Sequence, residues 1–206
     1  MTKIISIKPT EEYFSLNWQI DIRCNYDCMY CSPKWHDNSS RVKSTEELQN
    51  VWLNVFDKTK NLNLPYKISF TGGELTANKN FLPFVTWLKN NYSKYLFKVL
   101  VTTNGSASTG YYQKMFEAVD NISFSLHSEH IDEQKFFNKL IQLRKKLLPN
   151  NFIHVDIMNE FWNQARIPHY IQLLESNNIS YSVNEIDYNY QTRAIPIMRG
   201  NLNLEI

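Results

Sequence analysis

Along almost its whole length the chain alternates short strand-like runs with longer stretches of helical spacing. Strand character falls at residues 14–22, 66–70, 99–105, 121–128, 152–158 and 179–186. Apolar residues at helical spacing fall between them, at 45–56, 81–88, 111–119, 133–147 and 167–175. Ser44 or Thr45 is suited to cap the first helix, and Pro83 is tolerated in the first turn of the second. Six strands, each of the first five followed by a helix, imply a parallel sheet with right-handed crossovers. A closed eight-fold barrel takes about 250 residues, and this chain has 206. The expected fold is therefore α/β, a partial (β/α)6 TIM-like barrel: an open parallel sheet with outer helices. No Pro/Gly/Ser-rich linker or repeat divides it, so residues 1–206 are expected to form one domain. The tail at 188–206, with Pro196 and Gly200, is expected to pack over one mouth or edge of the sheet.

In such folds reactive groups gather at the C-terminal ends of strands. There the chain keeps all three of its cysteines, Cys24, Cys28 and Cys31, just after the first strand and with Tyr30 before the last. Clustered cysteines in a reducing compartment favour metal over disulfides. Iron–sulfur clusters normally take four cysteines, so three would leave one iron of a four-iron cube open. Structural zinc is the competing reading, and it needs a fourth ligand. His36 is the nearby candidate, which would make the chain a zinc-stabilised binding module. At the end of the second strand stand Gly72, Gly73 and Glu74; side-chain-free backbone there allows close approach. Asn104, Ser125 and His127 follow the same placement on the third and fourth strands. His130 and Asp37 are further polar groups near these ends.

The pattern C-x-x-x-C-x-aromatic-C after one strand, followed by Gly-Gly-Glu after the next, resembles the radical S-adenosylmethionine (SAM) superfamily. The resemblance extends through Asn104 and Ser125, although Leu75 stands where that family often has proline. The run at 152–158 lacks the glycine-rich adenine motif of some members. What the resemblance implies is an enzyme in which Cys24, Cys28 and Cys31 bind a [4Fe–4S] cluster. The amine and carboxylate of SAM would chelate the fourth iron, and reductive cleavage would give a 5′-deoxyadenosyl radical that takes hydrogen from a substrate. Tyr30 would pack near cluster and adenine. Gly72, Gly73 and Glu74 would meet the methionyl amine, and Asn104 and Ser125 the ribose or carboxylate. His127 would meet substrate or shuttle a proton. An electron donor of flavodoxin or ferredoxin type is implied. With no cysteine left for an auxiliary cluster, two substrate classes stay open: a partner protein activated at a glycine, or a nucleobase-like or other small molecule.

A net charge of +2 and a pI near 8.3 give no indication of nucleic acid. Arg144, Lys145 and Lys146 read as a solvated helix face. No apolar run is long enough to cross a membrane and no secretory leader is evident, so a cytoplasmic enzyme is expected.

Overall fold

The computed structural model describes residues 3–9, 12–32, 34 and 37–186. Strands β1 (Lys3–Pro9) and β2 (Phe14–Gln19) lead into α1 (Thr45–Thr59). Then follow β3 (Tyr66–Thr71), α2 (Phe81–Tyr92), β4 (Leu96–Thr103), α3 (Thr109–Met115) and β5 (Asn121–Leu126). The described chain ends with α4 (Glu133–Arg144), β6 (Phe152–Asn159), α5 (Ile167–Ser176) and β7 (Ser180–Glu185). The sheet order is β1 to β7 in sequence. From β2 to β7 every neighbouring pair is parallel, six strands joined by helices on one side. The open (β/α)6 sheet is therefore as expected. One strand was missed. β1 pairs antiparallel with β2 and extends the sheet by a hairpin, with a register shift between Ile4 and Ser6. The tail at 188–206 lies outside the described residues, as does His36.

Strict alternation drives the sheet. Phe14, Leu16 and Trp18 of β2, Tyr66, Ile68 and Phe70 of β3, and Ile122 and Phe124 of β5 are buried on one face. Ile153, Val155 and Ile157 continue that face on β6. Against it pack Leu48 and Trp52 of α1, Phe84 and Leu88 of α2, Phe136 and Leu140 of α4, and Tyr170 and Leu174 of α5. Aromatic rings meet edge to face across this layer, as Trp18 does with Phe84 at 5.5 Å between centroids. Helix starts are built as the sequence suggests. Ser44 caps α1 by accepting from Glu47 N at 3.1 Å, and Glu47 returns the bond to Ser44 N at 2.8 Å.

Candidate cofactor site at the strand ends

The expected first strand, 14–22, stops pairing as β2 at Gln19, and the next residues are held by the turn that follows β3. Ile20 N donates to Thr71 O at 2.9 Å, Gly73 N to Asp21 O at 3.1 Å and Glu74 N to Arg23 O at 2.7 Å. This close seam is why glycine is required twice. A Cβ on Gly72 would stand 2.6 Å from Asp21 O, and one on Gly73 only 2.3 Å from Arg23 O. Both clashes are with backbone, which has little room to give. The glycines thus seat the root of the cysteine loop, whatever else comes near them.

The far end of that loop is tied back by Asp37. Cys24 N donates to Asp37 O at 2.6 Å, and Asp37 N to Ile22 O at 2.8 Å. The Asp37 carboxylate accepts from Ser39 N and Ser40 N, a turn-forming role away from the cavity. Buried Asp21 accepts from Asn78 Nδ2 at 3.0 Å and from Arg23 N at 3.2 Å. Burial raises its pKa while those bonds lower it. Neither Asp21 nor Asn78 stood out in the sequence.

Glu74 is held by its carboxylate. Its Oε1 accepts from Thr76 N at 2.8 Å and Thr103 Oγ1 at 2.7 Å, and its Oε2 from Asn104 N at 2.6 Å. Only 1% exposed, the carboxylate joins the ends of β3 and β4. Burial pushes its pKa up against the pull of those donors. The Asn104 side chain closes a tight turn by accepting from Ser106 N at 3.0 Å, and donates to Asn25 Oδ1 at 3.0 Å. Gly105 follows with φ +75°, where a Cβ would also press on the Phe136 ring at 2.7 Å.

These seams bound a cavity of about 210 Å³. Cys24, Cys28, Cys31 and Tyr30 line it, together with Gly72, Gly73, Asn104, Ser125 and His127. Of the residues singled out at the strand ends as cofactor contacts, Glu74 alone is not part of the wall. Tyr26, Thr71, Thr102 and Thr103 line it as well and were not foreseen. Burial pushes the Cys24 thiol up to about 11, and raises Cys28 and Cys31 too. The carboxylates of Glu74, Glu129 and Glu160 add to this effect. Three thiols that resist ionisation by themselves suit a site whose positive charge is brought by a metal. That donor set fits an iron–sulfur cluster.

A family model described as the Radical SAM superfamily matches residues 20–149, more than half of the chain. The chain belongs to the radical SAM superfamily. Over 93 residues it is 33% identical to a GTP 3′,8-cyclase of Pasteurella multocida, covering 45% of this chain and 26% of that protein. It is 29% identical over 94 residues to an S-adenosylmethionine-dependent nucleotide dehydratase of Selenomonas ruminantium, covering 45% of this chain and 30% of that one. The chain thus spans about a quarter to a third of the length of these relatives. Among solved structures, Streptococcus suis SuiB, crystallised with its precursor peptide SuiA, superposes with a TM-score of 0.59 at 12% identity. That alignment covers 86% of this chain and 42% of SuiB, a likeness of fold. Superfamily membership implies a [4Fe–4S] cluster, SAM and a reductant. No helix among the described residues is long and apolar enough to cross a membrane.

Within this superfamily site one network was not foreseen. Tyr30 Oη donates to Glu160 Oε1 at 3.1 Å and also meets His127 Nδ1, with the two rings stacked. Glu160 is fully buried and accepts from Ser128 N at 2.9 Å and Asn163 Nδ2 at 3.2 Å. Ser128 Oγ bonds Glu160 as well, and takes the Trp162 indole N–H at 2.9 Å. Burial lowers the His127 pKa to about 4, with the nearby His130 acting in the same direction. His127 is therefore a neutral imidazole at neutral pH. His130 stacks on Tyr26 at 4.8 Å. Glu129 accepts from Met29 N at 3.1 Å, and its carboxylate, Cys28 Sγ and a His130 nitrogen lie within 4.8 Å of one another. The one sequence signal for Glu160 is an acid at the end of a strand-like run, where side chains turn toward the site.

Proposed function

We propose that this chain is the core of a radical SAM enzyme acting on a small polar molecule. The observation behind the proposal is that one cavity at the strand ends is walled by all three cysteines together with Gly72, Gly73, Asn104, Ser125 and His127. When bound, a [4Fe–4S] cluster and SAM would supply reductive cleavage of the sulfonium and a 5′-deoxyadenosyl radical for hydrogen abstraction. Cys24, Cys28 and Cys31 would hold the cluster. The seam of Gly72 and Gly73 against Asp21 and Arg23 fixes the loop that bears them. Glu74 acts at one remove, holding Asn104 by its backbone so that the β4 wall keeps its place. Ser125 Oγ, with no protein partner among the described residues, offers a hydrogen bond into the cavity. Tyr30 shields the cysteine side and is itself clamped by Glu160.

A flavodoxin or ferredoxin type of donor in the cytoplasm is the expected source of electrons. The names of the curated relatives, a GTP cyclase and a nucleotide dehydratase, favour a small-molecule substrate over a glycine of a partner protein. The zinc alternative depended on His36 and accounts for none of the groups that share the cavity with the cysteines.

The test is anaerobic reconstitution followed by strong reduction with SAM. Stoichiometric iron and sulfide with formation of 5′-deoxyadenosine is the expected result, and Cys28→Ala should lose both iron and product. One zinc per chain without acid-labile sulfide would replace this reading with the binding module.

A further inference from the structure

In closed barrels of this class the interior is filled by layers of bulky, branched side chains. Here the sheet face turned away from the helices is polar where β5, β6 and β7 meet. Two cross-strand rows carry it. Thr102, Ser123, His154 and Ser180 stand in register in one, and Ser125, Asp156 and Ser182 in the next. Thr102 and Ser125 already line the cofactor cavity. Neighbouring strands lie about 4.8 Å apart, so Asp156 is one strand beyond the cavity wall.

Asp156 is held by hydroxyl and amide donors. Its Oδ1 accepts from Ser182 Oγ at 2.8 Å and Asn184 Nδ2 at 3.0 Å, and its Oδ2 takes the Ser123 hydroxyl. His154 Nε2 lies 3.5 Å from Oδ1, but both His154 nitrogens are engaged by the hydroxyls of Ser180 and Ser182. Among the described residues no lysine or arginine reaches Asp156. A carboxylate has about four acceptor sites, and three are used, which leaves one on Oδ2. The side chain is 21% exposed, so solvent reaches the carboxylate group. Its donors hold the carboxyl below the usual carboxylate range although burial opposes them. The result is a negative charge, oriented and part-exposed, with no lysine or arginine beside it among the described residues.

We infer that Asp156, set beside Ser125 and oriented by Ser123, Ser182 and Asn184, is a substrate-anchoring subsite for a cationic N–H group, an ammonium or guanidinium. This rests on the radical SAM reading for its place in a reaction: a substrate held by its charged nitrogen at Asp156 lies along the row that leads into the cavity. A phosphate or carboxylate placed there would be repelled. Neutral donors, already supplied by two hydroxyls and an amide, would add nothing the protein lacks.

The experiment uses the full reconstituted chain with its cluster oxidised and its aspartates carrying a ¹³C-labelled side-chain carboxyl, followed by NMR at constant ionic strength. Ethylammonium and guanidinium chloride are the probes; tetramethylammonium, a charge without N–H donors, and propanol are the controls. The Asp156 resonance, identified by its loss in Asp156→Asn, should shift saturably with the two probes and with neither control. Ser182→Ala frees a second acceptor site and should tighten probe binding several-fold. It also keeps the test open if Asp156→Asn folds poorly. Equal shifts with tetramethylammonium or propanol, no saturation, or weaker binding in Ser182→Ala would overturn the subsite. Formation of 5′-deoxyadenosine is scored separately, so loss of SAM cleavage with the amine response intact would remove the radical reading and leave the subsite.

Discussion

The two faces of the sheet are made from the same strands and have opposite chemistry. On β5, Ile122 and Phe124 enter the helix-facing core, while Ser123 faces the polar side and Ser125 lines the cavity. β6 repeats the contrast with Val155 and Ile157 against His154 and Asp156. One face holds the fold together by burying apolar surface, roughly 1.5–3 kcal/mol for each large side chain. The other gives up that gain and carries hydrogen-bonding groups, buried at Ser125 and part-exposed at Asp156. A sheet that leaves one face so polar depends heavily on its other face, and its chemistry can vary with little effect on stability.

The comparison is broken most directly at two adjacent residues. Phe124→Ala empties a fully buried site that packs on Tyr112 at 4.9 Å between ring centroids. It should cost about 3–5 kcal/mol in urea unfolding. Ser125→Ala, one residue on, removes a buried hydroxyl that has no protein partner among the described residues and should change stability by no more than about 1 kcal/mol, yet weaken SAM binding, measured by equilibrium dialysis. If Ser125→Ala destabilised the chain as much as Phe124→Ala, the division between the faces would be wrong.

Glu74 tests the border between the faces, because it is buried like core and bonded like site. In Glu74→Gln an amide N–H₂ must face at least one of three donors: Thr76 N, Thr103 Oγ1 or Asn104 N. The expected cost is about 2–3 kcal/mol from that mismatch. Iron content should persist, since the cysteines are untouched, while SAM affinity falls through a loosened Asn104. Loss of iron equal to that of Cys28→Ala would mean that Glu74 supports the cluster loop and not the β4 wall.

How far the sequence could be read follows the same division. The apolar face was legible because period-two alternation and helical spacing are local signals, and six strands and five helices were anticipated from them. β1 was missed because an antiparallel edge strand precedes the repeating unit and has no helix of its own. At the site, Cys24, Cys28, Cys31, Gly72 and Gly73 were legible as short motifs. The reason glycine is needed at 72 and 73 was not, since the clash is with Asp21 and Arg23, some fifty residues away. Tyr30, His127 and Glu160 meet across 97 and 130 residues of chain. Pairings of that range leave no spacing to read. Asp156 was hidden in plain alternation, as one more polar residue between Val155 and Ile157.

The smallest expected effect is a dependence on pH that arises where the two faces meet. His127 is held neutral in the folded chain with a pKa near 4, below the ordinary value of 6.5, chiefly by burial. The unfolded chain therefore binds more protons between those values, and stability must fall as pH drops from about 6.5 toward 4 and stay level above 6.5. Glu74 and Glu160, whose pKa values are raised by burial, pull the other way, because the folded chain then takes up protons first. The difference between the native chain and His127→Gln removes that common background. Measured by urea unfolding of the cluster-free chain, that difference should shift by about 1–2 kcal/mol between pH 7 and pH 5, with the native chain losing more. A difference that stayed constant with pH would mean that the imidazole is solvated in the folded state, and that Tyr30, held by Glu160, does not cover it there.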